Sequence, residues 1–245
     1  MAMVHLICRK HYKIKKKENL KMKKTRSIFM LIVCCIMTAA AFTSCLSEGE
    51  DTSLDITTQK QYQQQMAGQY SGMLRMYYAK TTATGVKAEK YDSVRTYWTV
   101  NSDSTLTLRN FPVSKLDSAI SVPANDLSEK ANMLRELKSQ LKSAPSTNLK
   151  AYYFIPNKNA VTSSSLYFYV NPVTIETTFN YNNAEKKVYF VFYMNTYTGS
   201  WTSSDRQFQF QLGTYAICFD TLDLNNTTAI TSYYLRDLYM TCTAK

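Results

Sequence analysis

The stretch from Arg206 to Leu212, RQFQFQL, alternates polar and apolar side chains from Gln207 onward. Phe208, Phe210 and Leu212 fall on one face of an extended chain, and three glutamines fall on the other. A period of two residues is typical of a β-strand with one side in a core and one side in water. The stretch therefore predicts an antiparallel sheet that covers a hydrophobic interior.

Strand-like patterns continue on both sides of this stretch. Residues 188–194, VYFVFYM, are apolar on both faces, which indicates a central strand. Upstream, SVRTYWTV and STLTLRNF are joined by a short polar turn at residues 101–103 and predict a hairpin. Its alternation places five side chains on the buried face: Val94, Trp98, Val100, Leu106 and Leu108. Further strand-like runs are QYSGMLRMYY, KAYYFIP, SLYFYV, VTIETTFNY, YAICF and a last one near AITSYYLRDLYMTC.

One amphipathic helix interrupts these strands. Residues 126–129, DLSE, form a capping-box pattern with Asp126 as the expected cap, and Pro145 limits the helix at its other end. Leucines and an alanine follow at helical spacing: Leu127, Ala131, Leu134, Leu137 and Leu141. A short Gln-rich helix is also expected at residues 59–67. Together these elements predict a mainly β fold, an antiparallel β-barrel or sandwich with one inserted helix.

The N-terminal residues have the organisation of a secretory signal. A basic patch at residues 21–26 precedes an apolar run at 28–42, which is shorter than the roughly 17 to 25 residues of a membrane-spanning helix. Residues 1–44 are therefore predicted to be a signal peptide, whose natural start we expect at Met22. Residues 45–58 are predicted to hold a lipidated cysteine and a linker, and residues 59–245 a single β-rich globular domain.

The residues Phe42-Thr43-Ser44-Cys45 resemble a lipobox, the processing site of bacterial lipoproteins. The resemblance implies that Cys45 is acylated and anchors the protein to a membrane. Ordinary cleavage near Ala41, with Cys45 left as a free thiol, is the alternative. Ten of the 29 basic residues lie in the first 45 positions. The residues after Cys45 contain no cluster of Lys and Arg and no motif that would indicate nucleic acid as a partner.

The layout of the chain resembles small Bacteroidetes outer-membrane lipoproteins of unknown function. The resemblance is carried by the lipobox, the acidic residues at 48–51, the Gln-rich helix and the strand opening GQYSGML. It implies a calycin-like, lipocalin-related barrel attached by lipid to the outer membrane, on the cell surface or the periplasmic face. It implies no catalytic residues.

Histidine is absent after Met22, since His5 and His11 are the two histidines of the chain. Catalytic triads and His-ligated zinc are therefore excluded from the predicted domain. Two carboxylate pairs, Glu176 with Glu185 and Asp205 with Asp220, are the remaining candidates for glycoside hydrolysis. We expect a protein that is not an enzyme and that holds no metal and no cofactor.

Aromatic residues give the main indication of function, since 18 of the 19 tyrosines follow Cys45. Tyr197 and Trp201 lie in NTYTGSWTSSD, which we expect to be an exposed turn, and Trp98 is the third candidate for ligand contact. They predict binding of a glycan or an envelope protein. The alternatives are a barrel that carries a small apolar ligand, and a structural subunit of an envelope assembly. Many of the tyrosines are also expected to be ordinary strand residues.

Two further features concern modification. Cys218 and Cys242 either form a disulfide or remain separate buried thiols, because both lie in strand-like runs. Asp-Ser and Asp-Thr steps place candidate acceptors at Ser93, Ser104, Ser118 and Thr221. These steps resemble the O-glycosylation motif of Bacteroidetes.

The predicted anchor can be tested by Cys45→Ala. The variant should lose acyl labelling and leave the membrane fraction, because each buried methylene of an acyl chain contributes about 0.8 kcal/mol to attachment. Metabolic labelling with a fatty-acid analogue and membrane fractionation measure both effects. Labelling that persists in the variant would contradict the anchor at Cys45.

Overall fold

The computed structural model describes residues 52–82, 85–224, 229–230 and 233–244, without the side chains at 79–82 and 85–87. The predicted signal peptide and Cys45 lie outside the described residues. Backbone contacts divide the chain into two units, and the larger comprises Asp51–Tyr78 and Glu89–Lys245. All contacts given below lie within this larger unit.

The described residues contain two α-helices, two 3₁₀-helices and ten β-strands. The α-helices are α1 (Ile56–Met66) and α2 (Glu129–Leu141), and the 3₁₀-helices span Val113–Ala119 and Lys158–Ala160. The strands are β1 (Gly68–Thr82), β2 (Gly85–Val100), β3 (Thr105–Phe111), β4 (Thr147–Phe154), β5 (Ser165–Pro172), β6 (Ile175–Tyr181), β7 (Ala184–Phe192), β8 (Thr198–Thr202), β9 (Phe208–Phe219) and β10 (Leu238–Ala244). Neither α-helix in this part of the chain is long and apolar enough to cross a membrane.

Eight strands form a barrel-like ring in the order β1-β2-β3-β4-β5-β8-β9-β10. The ring closes because β10 pairs with both β9 and β1. Strands β7 and β6 continue the sheet outside the ring, where β7 pairs with β9. The registers defined by the described residues are all antiparallel. The predicted mainly β, antiparallel fold is confirmed, and the ring favours the barrel alternative over the sandwich.

Strand β9 differs from the prediction, which divided it into RQFQFQL and YAICF. Strand β9 continues without a turn from Phe208 to Phe219. The strand that pairs with it changes in the middle. Residues 208–213 pair with β10, and residues 214–219 pair with β7. The change of partner coincides with a register irregularity between Val191 and Phe192 of β7. In the first half, Phe208, Phe210 and Leu212 are buried and the glutamines between them are half-buried, whereas the second half is buried on both faces except at Tyr215.

Aromatic side chains fill the interior of the ring. Phe208 is fully buried, and its ring centroid lies 4.8 Å from that of Tyr70 and 5.0 Å from that of Phe168. The centroids of Phe210 and Trp98 lie 6.0 and 6.3 Å away. Separations in this range are favourable for aromatic pairs. The interior is therefore a packed core centred on Phe208.

Helix α1 packs at the start of β1. The Asp55 side chain caps it by accepting from the Thr58 N–H at 2.9 Å, and Met66 at its last turn is fully buried. The Tyr70 hydroxyl donates to the Met66 carbonyl at 2.6 Å, and the Gln63 amide donates to Ser104 Oγ at 2.6 Å. The helix begins at Ile56 rather than at the expected position 59, so the end of the predicted linker is helical.

Helix α2 is confirmed, but its cap is Ser128 and not Asp126. The Ser128 hydroxyl accepts from the Ala131 N–H at 3.2 Å, whereas Asp126 accepts from the Tyr234 hydroxyl at 2.7 Å. The bond from the Tyr234 hydroxyl is the largest cause of a lowered pKa of Asp126, followed by the Ser128 N–H, which donates to Asp126 Oδ1 at 3.0 Å. Leu127 precedes the helix and is 81% exposed, contrary to its predicted place on the buried face.

The packed interior leads to a stability prediction for Phe208→Ala. The variant should lose about 3–5 kcal/mol of unfolding free energy, because it removes a ring that contacts four other aromatic side chains. Chemical denaturation of the purified chain measures the loss. Tyr152→Ala is the matched control, since Tyr152 is 60% exposed and should change stability by no more than about 0.5 kcal/mol. Equal losses in the two variants would contradict a core centred on Phe208.

Candidate functional site

The outer face of β1, β2 and β3 carries a groove of about 460 Å³, called here the tyrosine groove. Its lining residues are Gln69, Tyr70, Ser71, Tyr97, Trp98, Thr99 and Arg109. Tyr97 is 47% exposed, whereas Trp98 beside it is fully buried. Alternation along β2 thus directs Tyr97 outward and Trp98 into the core.

Two contacts orient the Tyr97 ring. Arg109 is its register partner on β3, and the Arg109 guanidinium carbon lies 5.8 Å from the ring centroid. The Asn110 amide donates to the Tyr97 hydroxyl at 3.3 Å. Arg109 and Asn110 are both exposed because a register shift lies between Leu108 and Phe111, with Asn110 at φ 53°. An irregularity of this kind lets two consecutive side chains leave the same face of a sheet.

A second groove of about 440 Å³ adjoins the first, and it is called here the arginine groove. It is lined by Ser71, Gly72, Met73, Arg75, Arg95 and Thr243, so Ser71 belongs to both grooves. Strand β10 approaches β1 closely at this point, since a Cβ at position 72 would collide with the Thr243 carbonyl oxygen. Gly72 therefore allows the ring to close next to the two arginines.

The charged side chains that line the two grooves are all positive. No ion pair between described residues involves Arg75, Arg95 or Arg109. Apart from Met73, the side chains of these strands that line the grooves from outside are polar or positive, and the segments 69–77, 93–99, 105–109 and 239–243 contain no Asp or Glu. Lys150 of β4, opposite Thr107, adds a further exposed positive group. The two grooves therefore form a cationic surface, and their lining residues include no acidic side chain.

The predicted contact residues Tyr197 and Trp201 are each 5% exposed, so the expectation of an exposed turn is wrong. Gly199 and Trp201 lie in strand β8, which is paired on both sides. Trp201 is the register partner of Leu166 on β5 and of Phe208 on β9. Its ring therefore belongs to the core cluster.

Tyr197 is buried in a different place, over β9. A Cβ at position 213 would come within 2.5 Å of the Tyr197 ring, so the ring occupies the space that Gly213 leaves. Tyr193 and Tyr239 pack edge-on against it, each at 5.8 Å. Burial raises the pKa of the Tyr197 hydroxyl, with Tyr239 and Tyr193 adding to the effect. The Tyr197 side chain therefore fills space between strands and leaves almost no area exposed for contact with a ligand.

Trp98, the third predicted contact residue, is also fully buried. Its ring lies 5.4 Å from Phe210, at an interplanar angle of 86°. It therefore forms part of the filled interior, and it borders the tyrosine groove only from below.

The candidate carboxylate pairs are not brought together. Glu176 is opposite Tyr189, four residues from Glu185 on β7, which is roughly 13 Å of strand. Asp205 and Asp220 lie beyond opposite ends of the 12-residue strand β9, about 40 Å apart along it. A glycosidase pair needs a separation of about 5 to 9.5 Å. In the described part of the chain, no three His, Cys, Asp or Glu residues group closely enough to hold a metal ion.

The candidate acceptor hydroxyls differ in accessibility. Thr221 is exposed just beyond β9, and Ser93 is half-buried. Ser118 is 8% exposed and donates to the Lys115 carbonyl at 2.8 Å, whereas Ser104 Oγ accepts from the Gln63 amide. A modifying enzyme must reach the hydroxyl, so the fold favours Thr221 over Ser118.

Cys218 and Cys242 are separate buried thiols, and the disulfide alternative is wrong. Cys242 is opposite Phe210 on β9, and Cys218 lies eight residues further along the same strand, about 26 Å away. A disulfide needs Cα atoms within about 7 Å. Burial raises the pKa of both thiols, most strongly at the fully buried Cys242.

Sequence reasoning missed the groove residues Tyr97, Arg75 and Arg95. The alternation of the predicted hairpin already placed Tyr97 and Arg95 opposite Trp98, on the wet face of β2. Which strand lies beside β2 depends on the closure of the ring, and the pattern of a single strand carries no information on that. The available signal was the presence of an arginine and a tyrosine, Arg95 and Tyr97, on the outward face of one predicted strand.

Residues 65–219 match the sequence profile of DUF4840, a domain of unknown function. The chain belongs to this family. The matched segment extends from the end of α1 through β9, and it includes every lining residue of the two grooves except Thr243. No curated protein and no solved structure matches the chain. The predicted membership of a family of unknown function is thus confirmed.

The two thiols give a testable prediction. Iodoacetamide should leave Cys218 and Cys242 unmodified in the native protein, because both are buried and their pKa values are raised. In denaturant both should react without any reductant. Mass spectrometry of the two peptides measures the labelling and ignores the cysteines before Leu46. Labelling in denaturant that requires prior reduction would show a disulfide and contradict the register of β9 and β10.

Proposed function

We propose that this protein is a lipid-anchored, non-catalytic binding protein of the bacterial outer membrane that recognises a glycan at the tyrosine groove. The observation that carries the proposal is Tyr97, an exposed ring held in place beside an arginine in a groove of ligand size. The location rests on the lipobox-like residues before Cys45 and on the resemblance to Bacteroidetes lipoproteins.

The chemistry of the groove supports a glycan as ligand. The ring of a tyrosine can stack on the apolar face of a sugar, and the tyrosine hydroxyl can form hydrogen bonds at the same time. Ser71 and Thr99 contribute hydroxyls, and Gln69 contributes an amide. These groups can donate to and accept from sugar hydroxyls. Arg109 adds five donors in a fixed plane.

The other functions considered receive less support. A carrier of a small apolar ligand needs an open interior, but Phe208 and its aromatic neighbours fill the ring. Catalysis is disfavoured because the candidate carboxylates lie far apart and the predicted domain has no histidine.

The proposal is tested by Tyr97→Ala in the full chain. Dextran, xylan, polygalacturonate and hyaluronan are the probes, measured by calorimetry or by retention in affinity gels. We expect at least one of them to bind, and the variant to lose about tenfold in affinity, since a tyrosine at the centre of a site is typically worth more than about 1 kcal/mol.

Tyr215→Ala is the control for this experiment. Tyr215 is 37% exposed, similar to Tyr97, but it lies on the half of β9 that pairs with β7. Its loss should leave glycan binding unchanged. The proposal fails if none of the four polysaccharides binds, or if the two variants reduce binding equally.

A further inference from the structure

We infer that the ligand is an acidic glycan, whose carboxylate or sulfate groups are bound by Arg75 and Arg95 in the arginine groove. This inference rests on the proposed function and extends it from the tyrosine groove to its neighbour. Ser71 lines both grooves, so one chain of sugars can contact them in succession.

The spacing along β2 supports a shared ligand. Arg95 and Tyr97 are two residues apart, so both side chains leave the same face of the strand about 7 Å from each other. Arg75 of β1 lines the same groove as Arg95. A ligand that stacks on Tyr97 therefore has two guanidinium groups beside it.

The positive charges of this face favour an anionic ligand. Elsewhere in the described residues three lysines have carboxylate partners: Lys115 with Asp92 at 2.6 Å, Lys186 with Asp220 at 3.1 Å and Lys187 with Glu176 at 2.9 Å. Arg75 and Arg95 have no such partner among the described residues. A carboxylate or sulfate bound in this groove would accept paired hydrogen bonds from a guanidinium group and supply the opposite charge that both arginines lack.

The rest of the lining favours a sugar over other anions. Hydroxyls of Ser71 and Thr243 and the amide of Gln69 line the two grooves, and Tyr97 is the exposed aromatic residue among the lining residues. Single-stranded nucleic acid needs successive aromatic platforms for its bases. The lining offers one exposed ring with several hydrogen-bonding groups, which matches a polyhydroxylated chain better than a series of bases.

The experiment compares polygalacturonate with its methyl ester, which carries no charge on the same sugar backbone. The purified full chain should bind the acid about tenfold more tightly than the ester, and added salt should weaken the binding of the acid alone. The double variant Arg75→Gln/Arg95→Gln should lose this preference while its affinity for the ester stays unchanged. Arg95→Gln alone, at an exposed position, should lose part of it.

The matched control is Lys186→Gln/Lys187→Gln, which removes the same charge from β7. It should retain the full preference for the acid, which separates a local site from the effect of net charge. The inference is overturned if the lysine control loses as much as the arginine variant, if the ester binds as well as the acid, or if neither form binds. An oligothymidylate that competes equally with polygalacturonate would also overturn it.

Failure of this inference is distinguishable from failure of the proposed function. If Tyr97→Ala weakens binding of a neutral polysaccharide while the arginine variants change nothing, the proposed glycan site is supported and the inference of an acidic ligand is overturned. If Tyr97→Ala has no effect on any probe, the proposed function fails first.

Discussion

The packing of Phe208 is the interaction on which the remaining structure depends. An eight-stranded ring encloses a space that side chains can fill, and here aromatic rings within 6.3 Å of Phe208 fill it. The same residue pairs with Trp201 across β8 and with Ala244 across β10, so it lies where the ring closes. Because the interior is occupied, ligand recognition in the proposed role has to take place on the outer face.

Closure of the ring also determines what that outer face contains. Strand β10 enters between β9 and β1, which brings Thr243 beside Met73 and Thr241 beside Arg75. Strand β9 can close the ring and still support β7 because it changes partner halfway. The grooves are therefore built from residues far apart in the chain, held by backbone pairing rather than by loops.

The sequence predicted the parts of this fold that depend on local pattern. Alternation placed Trp98, Val100, Leu106 and Leu108 in the core, where all four are buried. The same rule applied to Tyr197, Gly199 and Trp201 would have identified strand β8, but the stretch NTYTGSWTSSD was interpreted as an exposed turn. The separation of Cys218 from Cys242 depends on the length of β9 and on the strands that pair with its two halves. Neither the length of β9 nor its pairing can be derived from a single strand-like run, and the same holds for the placement of Arg75 and Arg95 in one groove.

The rigidity of this scaffold bears on how the proposed site would work. Tyr97 is fixed by its contact with Arg109 and by the Asn110 amide, and the backbone below it is tied by a bond of 2.7 Å from Thr96 Oγ1 to the Arg109 carbonyl. A binding surface on paired strands loses less conformational entropy on association than a surface on free loops. Arg75 and Arg95 leave the same sheet, so their long side chains are the part that remains to be ordered. In the proposed complex, an anionic ligand that contacts both guanidinium groups would order both side chains, and this is the physical reason to expect a charged ligand to gain more from this face than a neutral one of the same shape.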